Sequence, residues 1–258
     1  MKLCKDNFVN LLGVQIDSIT LSDLLEYIDI LANSNSKSII ANSNIHALNI
    51  AYTDRLFRSY IQRSAINFCD GAGVAIGAKL IKKKIVEKIT YADFMWQLAS
   101  FASEKSLSMF FVGALPGVAE MARQKIIKKV PALKIVGTHH GFFSKKPGHP
   151  ENQDVIAQIN SAKPDLLIVG MGMPLQEYWI MENFDDLDVK IIFNGGAVFD
   201  YVSGELRRPP SWMTNHGMEW LGRLIIEPGR LWKRYLIGNP LFFWRVFVHH
   251  ILGVPLPE

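Results

Sequence analysis

Short apolar runs rich in Ile, Val and Phe recur along the chain, separated by longer stretches whose apolar positions return every three or four residues. The runs predict strands near 38–42, 65–69, 108–112, 134–138, 166–170 and 190–194. The stretches between them predict helices near 21–32, 46–62, 73–81, 92–104, 118–129 and 152–160. Strands alternating with helices point to an α/β fold, an open and mostly parallel sheet with helices on both faces. The strands are apolar nearly throughout, which fits burial on both sides. The Pro-Gly stretch 145–150 reads as a loop, and no internal repeat is present.

The pattern changes after about Ser203. Trp212, Trp220, Trp232 and Trp244, four of the six tryptophans, follow it, interleaved with Arg207, Arg208, Arg223, Arg230, Lys233 and Arg234. The expected organisation is a main domain, 1–203, and a basic, aromatic helical appendage, 204–258, too short to build a good core alone. Aromatic and cationic residues on one amphipathic segment suit the headgroup boundary of an anionic leaflet. The apolar run 240–252 is too short and interrupted to span one. The competing reading is a helix pair that packs its aromatic face inward and leaves its arginines in solvent.

Composition narrows the setting. Of 258 residues, 49% are hydrophobic and 20% charged, which supports a real core and excludes a disordered chain. The net charge of +4 is modest, so its clustering near the C-terminus matters more than its size. Cys4 and Cys69 form no metal or disulfide pattern, as in a reducing compartment. The first residues lack the apolar run and cleavage site of a signal peptide. The expected location is cytoplasmic, on the inner face of the membrane. The basic residues form no recognised nucleic-acid element.

In a parallel α/β sheet, ligands bind beyond the carboxyl ends of the strands. The segments there are Asn42-Ser43-Asn44, Asp70-Gly71-Ala72-Gly73, Gly113-Ala114, His139-His140-Gly141-Phe142, Gly170-Met171-Gly172 and Asn194-Gly195-Gly196. Glycine admits a ligand close to the backbone, and helix N-termini offer N–H groups to phosphate. One such turn is only a turn; their concentration at one edge favours a nucleotide or phosphate ligand. Asp70 ends an apolar strand and suits a general base acting on an acceptor hydroxyl, with helix capping as the plainer alternative. Asn42 and Asn44 can orient sugar hydroxyls, although Asn is an ordinary turn residue. The Gly71–Gly73–Gly77 spacing is wrong for a dinucleotide fingerprint, which counts against an NAD(P)-dependent oxidoreductase. A non-catalytic nucleotide-binding membrane adaptor would also explain the crevice and the basic tail. His139 and His140 lack partners at metal-ligand spacing, so no metal site is expected.

Several strings together carry a family resemblance over nearly the full length. They are Asp70-Gly71-Ala72-Gly73-Val74, Gly137-Thr138-His139-His140-Gly141-Phe142-Phe143, the run 164–177, Gly195-Gly196-Ala197-Val198-Phe199-Asp200, Arg207-Arg208-Pro209-Pro210 and the run 219–235. In order and spacing the chain resembles the WecG/TagA/CpsF glycosyltransferases, glycosyltransferase family 26. The resemblance implies a Rossmann-like domain and a metal-independent, inverting transfer. The donor would be a UDP-sugar, often UDP-N-acetylmannosamine or its uronic acid, and the acceptor a polyprenyl-diphosphate-linked N-acetylglucosamine. Such reactions build bacterial teichoic acid or surface polysaccharide.

By position, the resemblance makes Asp70 the base and Asn44 its polar neighbour after the first strand. Gly141, Phe142, Gln176 and Asp200 hold the donor, with Gly172 in the same matched string. Arg208, Arg223, Arg230 and Arg234 belong to an appendage that closes over the site, and Lys88 serves the diphosphate or acceptor. It brings no cofactor, and leaves a homo-oligomer open. This chain departs from the family pattern at three of these positions. It has Asn42 where many members have Thr, Lys88 near a frequent Arg, and Phe142 where Tyr is common.

Overall fold

A computed structural model describes residues 7–215 and 217–256, so Cys4 lies outside the described residues. Among the described residues, eight strands and thirteen α-helices give the mostly parallel, Rossmann-like α/β fold expected. The chain divides into two compact units, one of 21–41 and 91–206, the other of the described residues of 1–20, 42–90 and 207–258.

The first unit contains α1 (Leu21–Ala32), most of β3 (Ser38–Ser43), α5 (Tyr91–Glu104), β5 (Met109–Gly113), α6 (Val118–Lys129) and β6 (Ile135–His139). It continues through α7 (Pro150–Ala162), β7 (Leu166–Gly170), α8 (Leu175–Asn183), β8 (Ile191–Asn194) and α9 (Val198–Ser203). Its strands lie in the order β3-β8-β7-β5-β6, all parallel. Parallel pairing puts every strand's carboxyl end on one edge, where the glycine turns gather. Gly113 and Gly170 meet there. A Cβ on Gly113 would lie 2.1 Å from the Gly170 carbonyl oxygen, so only glycine allows this approach. Beneath, Phe111 packs on Phe199 with ring centroids 4.9 Å apart. Between α7 and α8, the Trp179 indole donates to Asn152 Oδ1 at 2.7 Å, and Asn152 Nδ2 donates to Asn183 Oδ1 at 2.8 Å. This buried polar network therefore ties helix to helix without leaving those groups unpaired.

The second unit begins with a hairpin that the apolar pattern does not reveal, β1 (Phe8–Leu11) and β2 (Val14–Asp17). Its two-residue turn, Leu12-Gly13, has positive φ at both positions, 53° and 79°. Asn-Gly or Asp-Gly is the usual signal for such a turn, and Leu-Gly hides it. β2 pairs in parallel with β4 (Ile66–Cys69).

The helix expected over 46–62 is two helices, α2 (Ile45–Thr53) and α3 (Arg55–Arg63). Asp54 breaks them: it is extended, and its Oδ1 accepts the Phe57 N–H at 2.9 Å as the N-cap of α3. Arg58 then donates to the carbonyls of Ala51 and Tyr52, which α2 leaves open at its end. α4 (Ala72–Leu80) follows β4.

The C-terminal segment holds α10 (Ser211–Asn215), α11 (Glu219–Ile226), α12 (Pro228–Trp232) and α13 (Gly238–Val246), with π-helical turns at Lys233–Ile237 and Phe247–Ile251. It is built into the second unit. Phe242 is fully buried against Gly77, where a Cβ would come within 2.7 Å of the ring. Asn49 donates to the Gly238 carbonyl at 2.7 Å and accepts from Arg245 at 2.8 Å, while the Arg245 guanidinium stacks over Tyr52. Other aromatics stay outside: Trp212 and Trp244 are 57% and 61% exposed. The segment is thus neither all packed inward nor all outward. Among the described residues, no helix is long and apolar enough to cross a membrane.

Candidate active site

β4 ends at Cys69, and the next residue, Asp70, is held beside the end of β3 because its backbone N–H donates to the Ser43 carbonyl at 2.9 Å. Asn42 Nδ2 donates to Asp70 Oδ2 at 3.1 Å, and Asn44 Nδ2 reaches the same oxygen at 3.4 Å. Asp70 does not cap α4; Gly71 holds the N-cap position, without a side-chain hydrogen bond. Asn44 has a second task, since its Oδ1 accepts the Ala47 N–H at 3.1 Å as the N-cap of α2. The two asparagines therefore fix the carboxylate through one oxygen, and Asp70 lines the adjoining cavity.

That cavity, of about 160 Å³, is lined within the same unit by Asp70, Asn44, His46, Lys88, Glu219, Trp220, Arg223, Arg234, Tyr235, Asn239 and Phe243, among others. Burial and the nearby Glu219 carboxylate push the Asp70 pKa up to about 6, against the pull of Asn44, Arg223 and Arg234. A carboxylate so raised still ionises near neutrality and is a stronger base than a free one. Burial, with Arg223 and Arg230 nearby, lowers the Arg234 pKa, while Tyr235 and Asp70 oppose this. Its Nε is buried without a partner. A buried guanidinium with an unpaired Nε beside a cavity is suited to an anion. Lys88 is anchored on the Thr214 carbonyl at 3.2 Å. The Cys69 thiol behind the site is pushed up to about 12 by burial and Asp70, which makes it inert.

The expected cationic set is thinned by this geometry. Lys88, Arg223 and Arg234 reach the cavity; Arg208 and Arg230 do not line it. Arg230 instead pairs with Glu227 at 2.7 Å on the surface, one helical turn away. The pocket also recruits residues outside the expected site set. His46 lies two positions beyond Asn44, in the first turn of α2; burial and Arg234 lower its pKa to about 4, so its ring is neutral. Glu219 opens α11 one turn before Arg223.

The other expected set lies in the first unit, on the loops after β6, β7 and β8. Gly141 is buried, its N–H donating to the Ala114 carbonyl at 2.8 Å, and Phe142 beside it is 65% exposed. Lys145 donates to the carbonyls of Gly141 and Phe143 and covers the Phe143 ring, so it shapes this loop. Gly172 takes a φ of 83°. Asp200 sits in the first turn of α9.

Gln176 has a different place from the one expected. It is fully buried, and its Oε1 accepts the N–H groups of Met171, Gly172 and Gly196 at 3.2, 3.1 and 3.0 Å. Its Nε2 donates to Glu177 Oε1 at 2.7 Å, which also accepts from Asn194 at 2.9 Å. The side chain clamps the loops after β7 and β8 together, with both of its polar atoms engaged inside the protein. Burial holds the Glu177 pKa up at about 7, against the hydrogen bonds from Gln176 and Asn194.

Parallel strands ending in glycine turns in one unit, and a carboxylate beside two arginines in the other, suit a group transferase on a Rossmann-like scaffold. The chain belongs to the glycosyl transferase WecG/TagA/CpsF family, whose model matches residues 9–253. It is 27% identical over 242 residues to the N-acetylglucosaminyldiphosphoundecaprenol N-acetyl-beta-D-mannosaminyltransferase of Staphylococcus aureus strain MRSA252, covering 92% of this chain and 91% of that protein. The enzyme of the same name from strain NCTC 8325 / PS 47 is 26% identical with the same coverage.

Proposed function

We propose that this glycosyltransferase moves N-acetylmannosamine, or a close relative of it, from a UDP-sugar to an undecaprenyl-diphosphate-linked N-acetylglucosamine. The observation that carries the reading is the Asp70 carboxylate, fixed through Oδ2 and facing a cavity that holds Arg223 and Arg234. In the transfer, the acceptor hydroxyl oxygen forms a bond to the anomeric carbon as the bond from that carbon to the UDP oxygen breaks. The hydroxyl proton goes to Asp70 Oδ1, and a single displacement inverts the anomeric configuration. Lys88, Arg223 and Arg234 neutralise diphosphate charge beside Asp70.

The names of the relatives support the acceptor, and they support the donor sugar only by analogy. The exposed Trp212, Trp232 and Trp244, beside Lys233, are read as contacts to the cytoplasmic leaflet in which that acceptor resides.

The test is a transfer assay with full-length protein, a short-chain polyprenyl-diphosphate-N-acetylglucosamine and a panel of UDP-sugars, with the product anomer read by NMR. Product from UDP-N-acetylmannosamine with inverted configuration supports the reading. A product of retained configuration, or no product from any donor, contradicts it.

A further inference from the structure

We propose that a second face of the Asp70-containing unit, formed by Lys82, Lys83 and Lys84 beside Phe8, Leu80 and Ile251, seats the protein on the headgroups of an anionic lipid leaflet. The proposal rests on the reading that the acceptor is lipid-linked. It adds a contact surface distinct from the tryptophans of the C-terminal segment.

The sequence from Lys79 to Lys88 reads KLIKKKIVEK, five lysines to one glutamate. Its backbone is set by the end of α4. Lys82 N–H donates to the Lys79 carbonyl at 3.0 Å and Lys83 N–H to the Ala78 carbonyl at 2.9 Å, with Lys82 at a φ of 57°. These are the two bonds of a Schellman cap, in which a lysine stands at the position where glycine is commonest. The loop beyond it is pinned as well. Ser18 Oγ donates to the Lys84 carbonyl at 3.2 Å and accepts the Val86 N–H at 2.9 Å, and Ile85 is buried. Three consecutive exposed lysines are thus presented on an ordered backbone.

What lies between them is apolar. Leu80 is 50% exposed, Phe8 44% and Ile251 52%, and they line a shallow groove with Lys82 and Lys83. Among the described residues, no acidic side chain lines that groove. His250 adds no charge, because its Nε2 accepts the Leu12 N–H at 3.2 Å and burial lowers its pKa. Lysines flanking exposed aliphatic and aromatic groups match a leaflet boundary, where the apolar tips enter and the ammonium groups reach the phosphates. Two copies of this chain meeting symmetrically would bring lysine against lysine, which disfavours self-association through the same face.

The experiment is co-sedimentation of the full-length protein with vesicles of phosphatidylcholine alone or mixed equally with phosphatidylglycerol. The combined Lys82→Gln, Lys83→Gln, Lys84→Gln variant should bind the mixed vesicles on the order of a hundredfold more weakly, from about fivefold per lysine. Leu80→Ser should weaken binding several-fold. Both variants should keep full transfer to a short-chain soluble acceptor without vesicles, which separates this surface from the reaction itself. Unchanged vesicle binding by the lysine variant overturns the proposal, as does equal binding of the wild type to both vesicle types. A change in the variant's oligomeric state without vesicles also overturns it, by assigning the face to a second copy. Absence of transfer by the wild type would fault the enzymatic reading and leave the vesicle result to decide this one.

Discussion

Asn42 donates its side-chain amide to Asp70 Oδ2 at 3.1 Å, both residues lying in one unit. Asn44 adds a longer contact to the same oxygen, at 3.4 Å. Burial and Glu219 disfavour the ionised carboxylate, whereas the Asn44 hydrogen bond, Arg223 and Arg234 favour it. The balance leaves Asp70 with a pKa of about 6, high for an aspartate and low enough to be mostly ionised at neutral pH. That is the compromise a general base requires.

The pH dependence of kcat/KM follows from this balance. Asp70 must be ionised to take a proton, so the rate should fall with an apparent pKa near 6 as the pH is lowered. Glu219→Gln removes the nearby negative charge and should move that limb to lower pH. A limb that stays in place in the variant would show that Glu219 does not act on Asp70.

Glu177 titrates against stability. Its folded pKa of about 7 lies above the unfolded value of 4.5, so the folded state binds the proton more tightly. Its stabilising contribution is complete below about pH 4.5 and is lost as the pH rises through 7. Glu177→Gln does not titrate, so its stability relative to the wild type should rise by about 3 kcal/mol across that window. Denaturant melts at several pH values measure this; a difference that does not vary with pH would contradict it.

Gly113 is required by backbone geometry. It has a φ of 150°, and a Cβ there would lie 2.1 Å from the Gly170 oxygen. Gly113→Ala should destabilise the protein by about 2 kcal/mol or more, by strain and by separating β5 from β7. Thermal unfolding checks it, and an unchanged midpoint would mean that the strand ends can part freely.

Gln176 acts through the loops it clamps. Gln176→Ala releases three backbone N–H groups and leaves Glu177 without one donor. The thermal unfolding midpoint should fall, from loss of hydrogen bonds of about 1 kcal/mol each. An unchanged midpoint would contradict the clamp.

The parallel strands were legible in the sequence because burial on both faces makes them uninterrupted apolar runs, as in Leu166–Gly170. Asp70 was legible for the same reason: a carboxylate directly after such a run, followed by glycine, stands at a strand's carboxyl end. The β1–β2 hairpin was not, because its strands are four residues long and its turn is Leu-Gly. The difference between Arg234 and Arg230 was also hidden. Both sit in one basic stretch, and only the path of the chain through α12 and the following π-helical turn puts one by the cavity and pairs the other with Glu227. The buried position of Gln176 could not be read either, because an amide that clamps loops and one that binds a ligand look alike in sequence. His46 has no pattern that separates it from any helix-start residue.

The most direct measurement is the transfer rate of Asp70→Asn beside the wild type, with the fold of each checked by thermal unfolding. The substitution keeps the shape of the side chain and removes the base, so the rate should fall by about two to four orders of magnitude. The folded state should persist, and be somewhat more stable above pH 6, because a buried carboxylate no longer has to ionise there. A folded Asp70→Asn protein that transfers sugar at the wild-type rate would contradict the role given to Asp70.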